Sequence, residues 1–213
     1  GVNRQVFAAG TPIISACSVG DTVKITENGK AVEFIIVGTN YPVSGRILVL
    51  RKDIYDLRPW NASAVAYTSS SIDSWLNSTY INLIESGVRT QIAEVSVEVS
   101  DHVEENRKVF LLSNRELDQN DHTYTPALGS PLAYFTEDIS TTQMNIRRRA
   151  YYNGTLTNWW TRNKNTSSGN AFYVATNNNY DPKNAVPSTN YGSRPAFTLP
   201  STILVGEENN VLG

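Results

Sequence analysis

Residues 20–37 have the sequence GDTVKITENGKAVEFIIV. Two short runs, 20–25 and 33–37, flank the turn Glu27-Asn28-Gly29-Lys30. Asn-Gly readily adopts the positive φ angles that a tight hairpin turn requires. Each flanking run has the length of a strand and is too short for a helix. The stretch therefore predicts an antiparallel β-hairpin.

Three short segments further along the chain predict additional strands. Residues 46–50 and 108–112 are compact apolar runs, and residues 92–99 alternate between apolar and polar side chains. Alternation with a period of two places the apolar side chains on one face of a strand. The strand at 92–99 is therefore expected to be half-exposed.

One segment predicts a helix. From Ile72 to Ile84 the apolar residues recur every three or four positions, and Ser70 or Ser71 is placed to cap the first turn. Together with the strands, this helix predicts an α+β fold of short antiparallel strands.

From about Gln119 onward these periodic patterns fade and turn-forming residues dominate. Residues 153–190 contain 10 Asn in 38 residues, against 12 in the remaining 175. The same segment carries Trp159-Trp160 and Ala171-Phe172-Tyr173-Val174, an aromatic content that is not typical of a disordered chain. We expect a loop-rich C-terminal half of ordered loops, with at least one of the two adjacent tryptophans in the core.

The charge of the chain excludes several classes of partner. The 213 residues carry a formal net charge of -2, whereas a nucleic-acid-binding surface requires clustered Lys and Arg. The one basic run, Arg147-Arg148-Arg149, is expected to form a solvated face paired with Glu137 and Asp138. No apolar run approaches the roughly 20 residues that span a bilayer. We predict no nucleic-acid partner and no membrane insertion.

Few residues are available for catalysis or metal binding. Cys17 is the single cysteine, and His102 and His122 are the only histidines. These three residues are too few for a multi-cysteine zinc site or a redox pair and offer little basis for a histidine-based triad. The acidic stretch from Glu94 to Glu105 lacks the ligand spacing of a calcium loop and is expected to form an exposed strand edge. We predict no enzymatic activity, no cofactor and no metal.

The Asn-rich segment favours recognition. From Asn165 to Ser193 the only charged residues are Asp181 and Lys183. Antibody paratopes favour Asn, Tyr, Ser and Gly, because tyrosine gives contact area with few rotatable bonds and the others give adaptable hydrogen bonds. Asparagine is also a common turn residue. The residues alone therefore leave two interpretations open, a neutral binding surface and a set of solvated turns.

The order of several short motifs resembles a known family. The segments GDTVKI, EFIIVG, SWLN and KVFLLS precede Asn158-Trp159-Trp160-Thr161-Arg162 and Tyr191-Gly192-Ser193-Arg194-Pro195-Ala196. Over about residues 15–206 this order resembles a domain that recurs in phage and prophage tail proteins of gut Firmicutes. The resemblance implies the C-type-lectin-like fold shared with formylglycine-generating enzymes and with variable proteins of diversity-generating retroelements.

The resemblance offers a second explanation for the many asparagines and also argues against two activities. In retroelement-diversified proteins, the adenines of a template are randomised, so AAY codons, which encode Asn, mark the positions that are open to change. These positions lie ahead of the C-terminal strand. A formylglycine-generating enzyme needs paired cysteines in its C-terminal part, which this chain lacks. Animal calcium-dependent lectins carry a Trp-Asn-Asp motif, and the nearest string here is Trp60-Asn61-Ala62. Neither oxidase activity nor calcium-assisted sugar binding is expected.

These observations lead to one principal expectation and one alternative. The first is a non-catalytic adhesin, a phage tail or prophage-encoded receptor-binding protein on a virion or cell surface, that binds a bacterial surface protein or glycan. The alternative is a structural virion module, a tail or capsid decoration protein whose loops make subunit contacts in a homo-oligomer such as a trimer. The predicted ligand-binding residues are Asn163, Asn165, Asn170, Asn177, Asn178, Asn179, Tyr180, Asn184, Asn190 and Tyr191.

The predicted organisation is one C-type-lectin-like domain, residues 15–206. An N-terminal extension, 1–14, precedes it and a C-terminal tail, 207–213, follows it.

Overall fold

The computed structural model describes residues 10–213, and strands predominate over helices in this part of the chain. The strands are β1 (Thr11–Pro12), β2 (Thr22–Glu27), β3 (Lys30–Thr39), β4 (Arg46–Arg51), β5 (Asp56–Arg58), β6 (Val95–Ser100), β7 (Val103–Arg107), β8 (Val109–Phe110), β9 (Ala150–Tyr152), β10 (Thr155–Thr157), β11 (Trp159–Lys164), β12 (Ala171–Val174), β13 (Lys183–Ala185), β14 (Tyr191–Ser193), β15 (Ala196–Pro200) and β16 (Leu204–Val205). The helices are α1 (Ile13–Ala16), α2 (Ser71–Ser78), α3 (Ser86–Arg89) and α4 (Thr141–Arg148), and short 3-10 turns cover Tyr67–Ser69, Tyr80–Leu83, Ala133–Phe135 and Glu207–Asn209. The protein is α+β, as the sequence predicted.

Two five-stranded sheets and three two-stranded ribbons organise these strands. The first sheet has the order β2-β3-β4-β15-β8 and is antiparallel throughout. The second has the order β13-β12-β11-β14-β5, in which β11 and β14 run parallel. The ribbons pair β1 with β16, β6 with β7, and β9 with β10. One hydrophobic cluster joins side chains of both sheets with α2.

The predicted hairpin is confirmed as β2 and β3. Asn28 has a φ of 49° and Gly29 a φ of 77°, the pair of positive angles that lets a two-residue turn match the twist of its strands. Glu27 pairs with Lys30 directly across that turn. The strands predicted at 46–50 and 92–99 are also confirmed as β4 and β6, although Ala93 is exposed and lies ahead of β6.

The predicted helix is confirmed over α2 and ends earlier than expected. Ser70 caps it, since its Oγ accepts a hydrogen bond from the Asp73 N–H at 3.2 Å. Residues Tyr80–Leu83 form a 3-10 turn instead of a second stretch of α-helix. Tyr80 and Ile81 remain buried there.

Helix α4 had no apolar periodicity to predict it. Its buried side chains are Met144 and Arg148, while Ile146 is 49% exposed. Arg147 pairs with Glu137 at 2.9 Å, as expected for a solvated face. The prediction is wrong for Arg148, whose side chain is buried and donates to the Leu117 carbonyl at 2.7 Å.

Both adjacent tryptophans are fully buried. Their side chains lie on opposite faces of β11, so both faces of the second sheet are covered at this strand. The Trp159 indole N–H donates to the Arg148 carbonyl at 3.0 Å and lies against the guanidinium of Arg194. The Trp160 indole N–H donates to the Arg58 carbonyl at 2.9 Å. A buried indole requires such a partner for its polar atom.

Residues from the predicted N-terminal extension and C-terminal tail contribute to the hydrophobic core. Ile13 is fully buried and its N–H bonds the Ile203 carbonyl at 2.8 Å. Val211 is 9% exposed and its N–H bonds the Lys24 carbonyl at 2.9 Å. Residues 1–9 of the predicted N-terminal extension lie outside the described residues. Within residues 10–213, no helix combines the length and apolar character needed to cross a bilayer.

Candidate functional site

The second sheet aligns five side chains across its five strands. Register pairs Lys183 of β13 with Tyr173 of β12, and Tyr173 with Trp160 of β11. On the other side, Tyr191 of β14 is paired with Arg58 of β5. Directly paired residues point to the same face of a sheet, and the Trp160 and Tyr191 rings lie 5.1 Å apart between centroids. We call these five residues the cross-strand row.

The centre of the row is aromatic. The rings of Tyr173 and Tyr191 lie 4.6 Å apart between centroids, and both are half-buried. Trp160 contacts both tyrosines, with its ring perpendicular to that of Tyr173, and is fully buried. The indole therefore supports two tyrosine rings that remain partly open to solvent. Burial raises the pKa of Tyr173, and the interaction of its hydroxyl with that of Tyr191 raises it further.

The backbone at Tyr191 depends on the glycine that follows it. A Cβ atom at Gly192 would lie 2.7 Å from Ile54 Cδ1 and 2.9 Å from Ile54 Cγ1 and Cγ2, closer than real Cβ contacts. Glycine thus allows β14 to lie against the core. This close approach fixes the position of Tyr191 in the row.

A charged residue terminates the row at each end. Lys183 is exposed on the edge strand β13. At the other end, the Arg58 guanidinium lies 3.3 Å from the Trp75 ring centroid and pairs with Asp56 at 2.8 Å. The Ser193 hydroxyl donates to Asp56 Oδ1 at 2.6 Å. Arg58 is therefore held in one orientation by stacking and by an ion pair.

Three of the ten predicted ligand-binding residues are buried, and their amides bond within the protein. Asn163 Oδ1 accepts from the Asn114 N–H, and its Nδ2 donates to Thr125 Oγ1 at 2.8 Å. Asn165 Oδ1 accepts from two N–H groups of the turn that follows it. Asn179 is fully buried and donates to the Asn145 carbonyl. These three hold loops in place and do not offer their side chains to a ligand.

Two other predicted residues bond each other. Asn170 Nδ2 donates to Asn184 Oδ1 at 3.0 Å, and both residues are half-buried. The amides tie the loop ahead of β12 to strand β13. Asn190 is exposed and directly precedes Tyr191 in the chain.

The remaining predicted residues form an exposed tip between β12 and β13. Asn177, Asn178 and Tyr180 are exposed there. The tip is nevertheless anchored: Gln119 Nε2 donates to the Asn179 carbonyl at 2.7 Å, and the Asn120 N–H bonds the Tyr180 carbonyl at 2.8 Å. The structure thus presents these side chains from a loop whose backbone is already held.

Sequence reasoning identified Tyr191 and missed the rest of the row. Lys183 and Tyr173 are 23 and 13 residues from Trp160 in sequence, and Arg58 comes from the first half of the chain. Only the register of five strands brings them together. The available signal was local: Tyr173 and Lys183 lie within the predicted Asn-rich segment.

Among residues 10–213, no group of three or more His, Cys, Asp or Glu side chains is placed to hold a metal ion. The most buried ion pair, Arg162 with Glu116, is enclosed by the protein and exposes 0% and 1% of the two side chains. Arg162 is part of β11, and the surrounding protein closes the pair to any substrate.

Comparison with known proteins yields one match. A family model described as "Domain of unknown function (DUF6273)" matches residues 44–201, which include all five strands of the second sheet. No curated protein and no solved structure matches the chain.

Proposed function

The chain belongs to the DUF6273 family, and we propose that this member is a non-catalytic ligand-binding module whose cross-strand row takes a bacterial surface glycan. The observation that carries the proposal is the pair of half-buried tyrosine rings over Trp160, with a cationic side chain at each end of the row. Tyrosine faces pack on the apolar faces of sugar rings, and hydroxyl and charged groups bond the sugar's polar atoms.

The dimensions of the row suit an extended ligand. Five neighbouring strands span four interstrand spacings, roughly 19 Å. Several sugar units can lie over that length, with the tyrosines in contact with the central ones. Because Trp160 and the Asp56–Arg58 pair already hold the row in place, binding costs little side-chain entropy.

The exposed tip provides a second contact region for the same ligand or for a protein on the same surface. We propose that Asn177, Asn178, Tyr180 and Asn190 supply adaptable hydrogen bonds around the row. Retroelement diversification, where it operates, is proposed for these exposed positions and not for the buried Asn163, Asn165 and Asn179. A change at a buried amide would leave its hydrogen-bond partners unsatisfied.

We further propose a C-type-lectin-like fold and a role as a phage tail or prophage-encoded adhesin on a virion or cell surface. A mixed sheet that carries the Trp-Trp segment on β11 and Gly192-Ser193 on β14 is consistent with that proposal. Arg194-Pro195 then leads the chain into β15 of the first sheet. A solved structure of a family member, compared with C-type-lectin-like domains, tests the fold.

The test of the binding proposal is a glycan array of bacterial surface polysaccharides probed with the whole chain. Tyr173→Ala and Tyr191→Ala are each expected to weaken binding about tenfold, since a stacked ring contributes roughly 1 kcal/mol or more. Tyr151→Ala is the matched control, because Tyr151 is 39% exposed on β9 and lies outside the row.

The alternative, a structural virion module, predicts a different result from the same variants. Light scattering would then show a homo-oligomer such as a trimer, and the row variants would dissociate it without any glycan. Glycan binding that is equal in all three tyrosine variants would contradict a ligand site at the row.

A further inference from the structure

A groove of about 590 Å³ lies away from the cross-strand row, and no residue of the row lines it. Its walls are the β6–β7 ribbon, the 3-10 turn that begins at Tyr67, and residues 123–128 together with the end of β11. A volume of this size is typical of a site for a small organic ligand.

The walls of the groove are held together by hydrogen bonds. Asn163 Nδ2 donates to Thr125 Oγ1 and to the Pro126 carbonyl. The Gly129 N–H donates to Glu98 Oε1 at 2.7 Å, which ties the loop to β6. Arg162 Nε donates to the Glu98 carbonyl at 2.8 Å. The groove is thus preformed.

One part of the lining is aliphatic. Val99, Val103 and Leu128 line the groove, and Val103 is 44% exposed. Val103 is paired with Ser100 across the ribbon, so it lies next to the end of β6. An aliphatic ligand group would cover this valine and be stabilised by its burial.

The charged part of the lining is divided between two walls. Lys164 of β11 lies on one wall, and Glu105 of β7 lies on the other. Asp101, in the turn of the ribbon, adds a second carboxylate to the wall of Glu105, and its Oδ1 lies 3.4 Å from His102 Nε2. Glu105 pairs with Val97 in the ribbon and therefore points to the same face as that buried valine. Within residues 10–213, neither Lys164 nor Glu105 has an oppositely charged side chain within 4.0 Å. Arg107 lies near enough to Glu105 to interact with it electrostatically but forms its ion pair with Asp73, so Lys164 and Glu105 can both pair with a ligand that carries both charges.

We propose that the groove binds a short peptide with a free amino group, a free carboxylate and an aliphatic side chain. The carboxylate pairs with Lys164, the ammonium group pairs with Glu105, and the aliphatic group packs on Val99, Val103 and Leu128. Threonine hydroxyls at Thr68, Thr125 and Thr166 face the same space and can bond the peptide amide. This site is independent of the proposed glycan surface.

The test is a calorimetric titration of the whole chain with the dipeptide alanyl-leucine, up to about 10 mM. Wild type is expected to bind it saturably and to bind the C-terminal amide and the N-acetylated form about tenfold more weakly, because each lacks one charge. Lys164→Gln is expected to remove the difference between acid and amide, and Glu105→Gln the difference between free and acetylated amine.

The matched control is Lys30→Gln, which removes an exposed lysine at the β2–β3 turn, outside the groove and the row, and is expected to leave dipeptide binding unchanged. Circular dichroism of each variant verifies that it is folded. Absence of dipeptide binding in wild type would overturn the proposal, and so would binding that both groove variants leave unaltered. Either outcome leaves the tyrosine test of the glycan surface unaffected, so the two failures are distinguishable.

Discussion

The guanidinium of Arg162 and the carboxylate of Glu116 lie side by side with almost no exposed surface. The carboxylate also accepts from the Tyr41 hydroxyl and, at 2.9 Å, from the Ser113 N–H. Arg162 donates to the carbonyls of Glu98 and Leu111 as well. Two charges are tolerated here because the carboxylate and the guanidinium each have several hydrogen-bond partners besides one another.

At this scale we expect Glu116→Ala to lower the free energy of unfolding by about 3 to 5 kcal/mol, because it leaves a buried guanidinium without a counter-charge. Urea denaturation measures the change. The control is Glu33→Ala: Glu33 pairs with Lys52 at 2.9 Å, but both side chains are about half exposed. That variant should lose less than about 1 kcal/mol, and equal losses for the two would show that burial does not decide the cost.

At the scale of elements, the connection between β12 and β13 combines a fixed part with a free part. Asn179 is fully buried, while Asn177 and Asn178 immediately before it are exposed. Asn178 has a φ of 47°, a conformation that asparagine tolerates better than most residues. The loop therefore permits change at its surface and not at its anchor.

Deep sequencing of the 3′ third of the gene, amplified from its source community, should reflect this division. We expect substitutions at the Asn177, Asn178 and Asn190 codons and conserved codons at Asn163, Asn165 and Asn179. Loss of a buried amide costs about 1 to 3 kcal/mol in unsatisfied partners, whereas exposed changes remain within about 0.5 kcal/mol. Substitutions spread evenly over buried and exposed codons would refute diversification of a surface.

At the scale of the whole molecule, three enclosed tyrosines link folding to alkaline pH. Burial is the main cause that raises the pKa of Tyr41, Tyr67 and Tyr80 above the ordinary value of 10.0, and nearby carboxylates add to it. The carboxylates are those of Glu116, Asp73 and Glu27 respectively. Above pH 10 the unfolded chain loses these protons and the folded chain keeps them.

The stability that depends on these hydroxyls is fully present below pH 10 and is lost as the pH rises further, because the unfolded state then binds fewer protons. Each proton that the folded chain keeps and the unfolded chain loses lowers the free energy of unfolding by about 1.4 kcal/mol per pH unit. Burial lowers the pKa of Arg194 to about 10 and also lowers the pKa of Arg46 and Arg148, which acts in the opposite direction. Because the tyrosines start from an ordinary pKa of 10.0 and the arginines from 12.5, we expect a net loss of stability as the pH rises above 10.

Urea unfolding at about pH 9 and about pH 11 measures this loss. Ultraviolet absorbance of tyrosinate should show that part of the 11 tyrosines titrates only as the protein unfolds. Tyr67→Phe is expected to lessen the dependence on pH, because it removes one of the three hydroxyls. If all tyrosines ionise before unfolding, the link between these three hydroxyls and stability is absent.

The sequence by itself determined the local elements. The Asn28-Gly29 turn, the cap at Ser70 and the alternation of Val95, Val97 and Val99 each act over a few residues, so their patterns are visible in the chain. The end of α2 and the whole of α4 escaped prediction, because their buried side chains are chosen by packing partners and not by a periodic pattern.

Only the tertiary structure decided which polar residues face solvent and which residues share a site. Asn163 and Asn177 belong to the same Asn-rich segment, yet one is fully buried and the other exposed, because burial depends on which strand covers an amide. The row from Lys183 to Arg58 arises from strand order and register, two properties set by contacts between distant parts of the chain. Composition indicated a surface rich in Asn and Tyr. Strand pairing determines that Tyr173 and Tyr191 lie side by side on it.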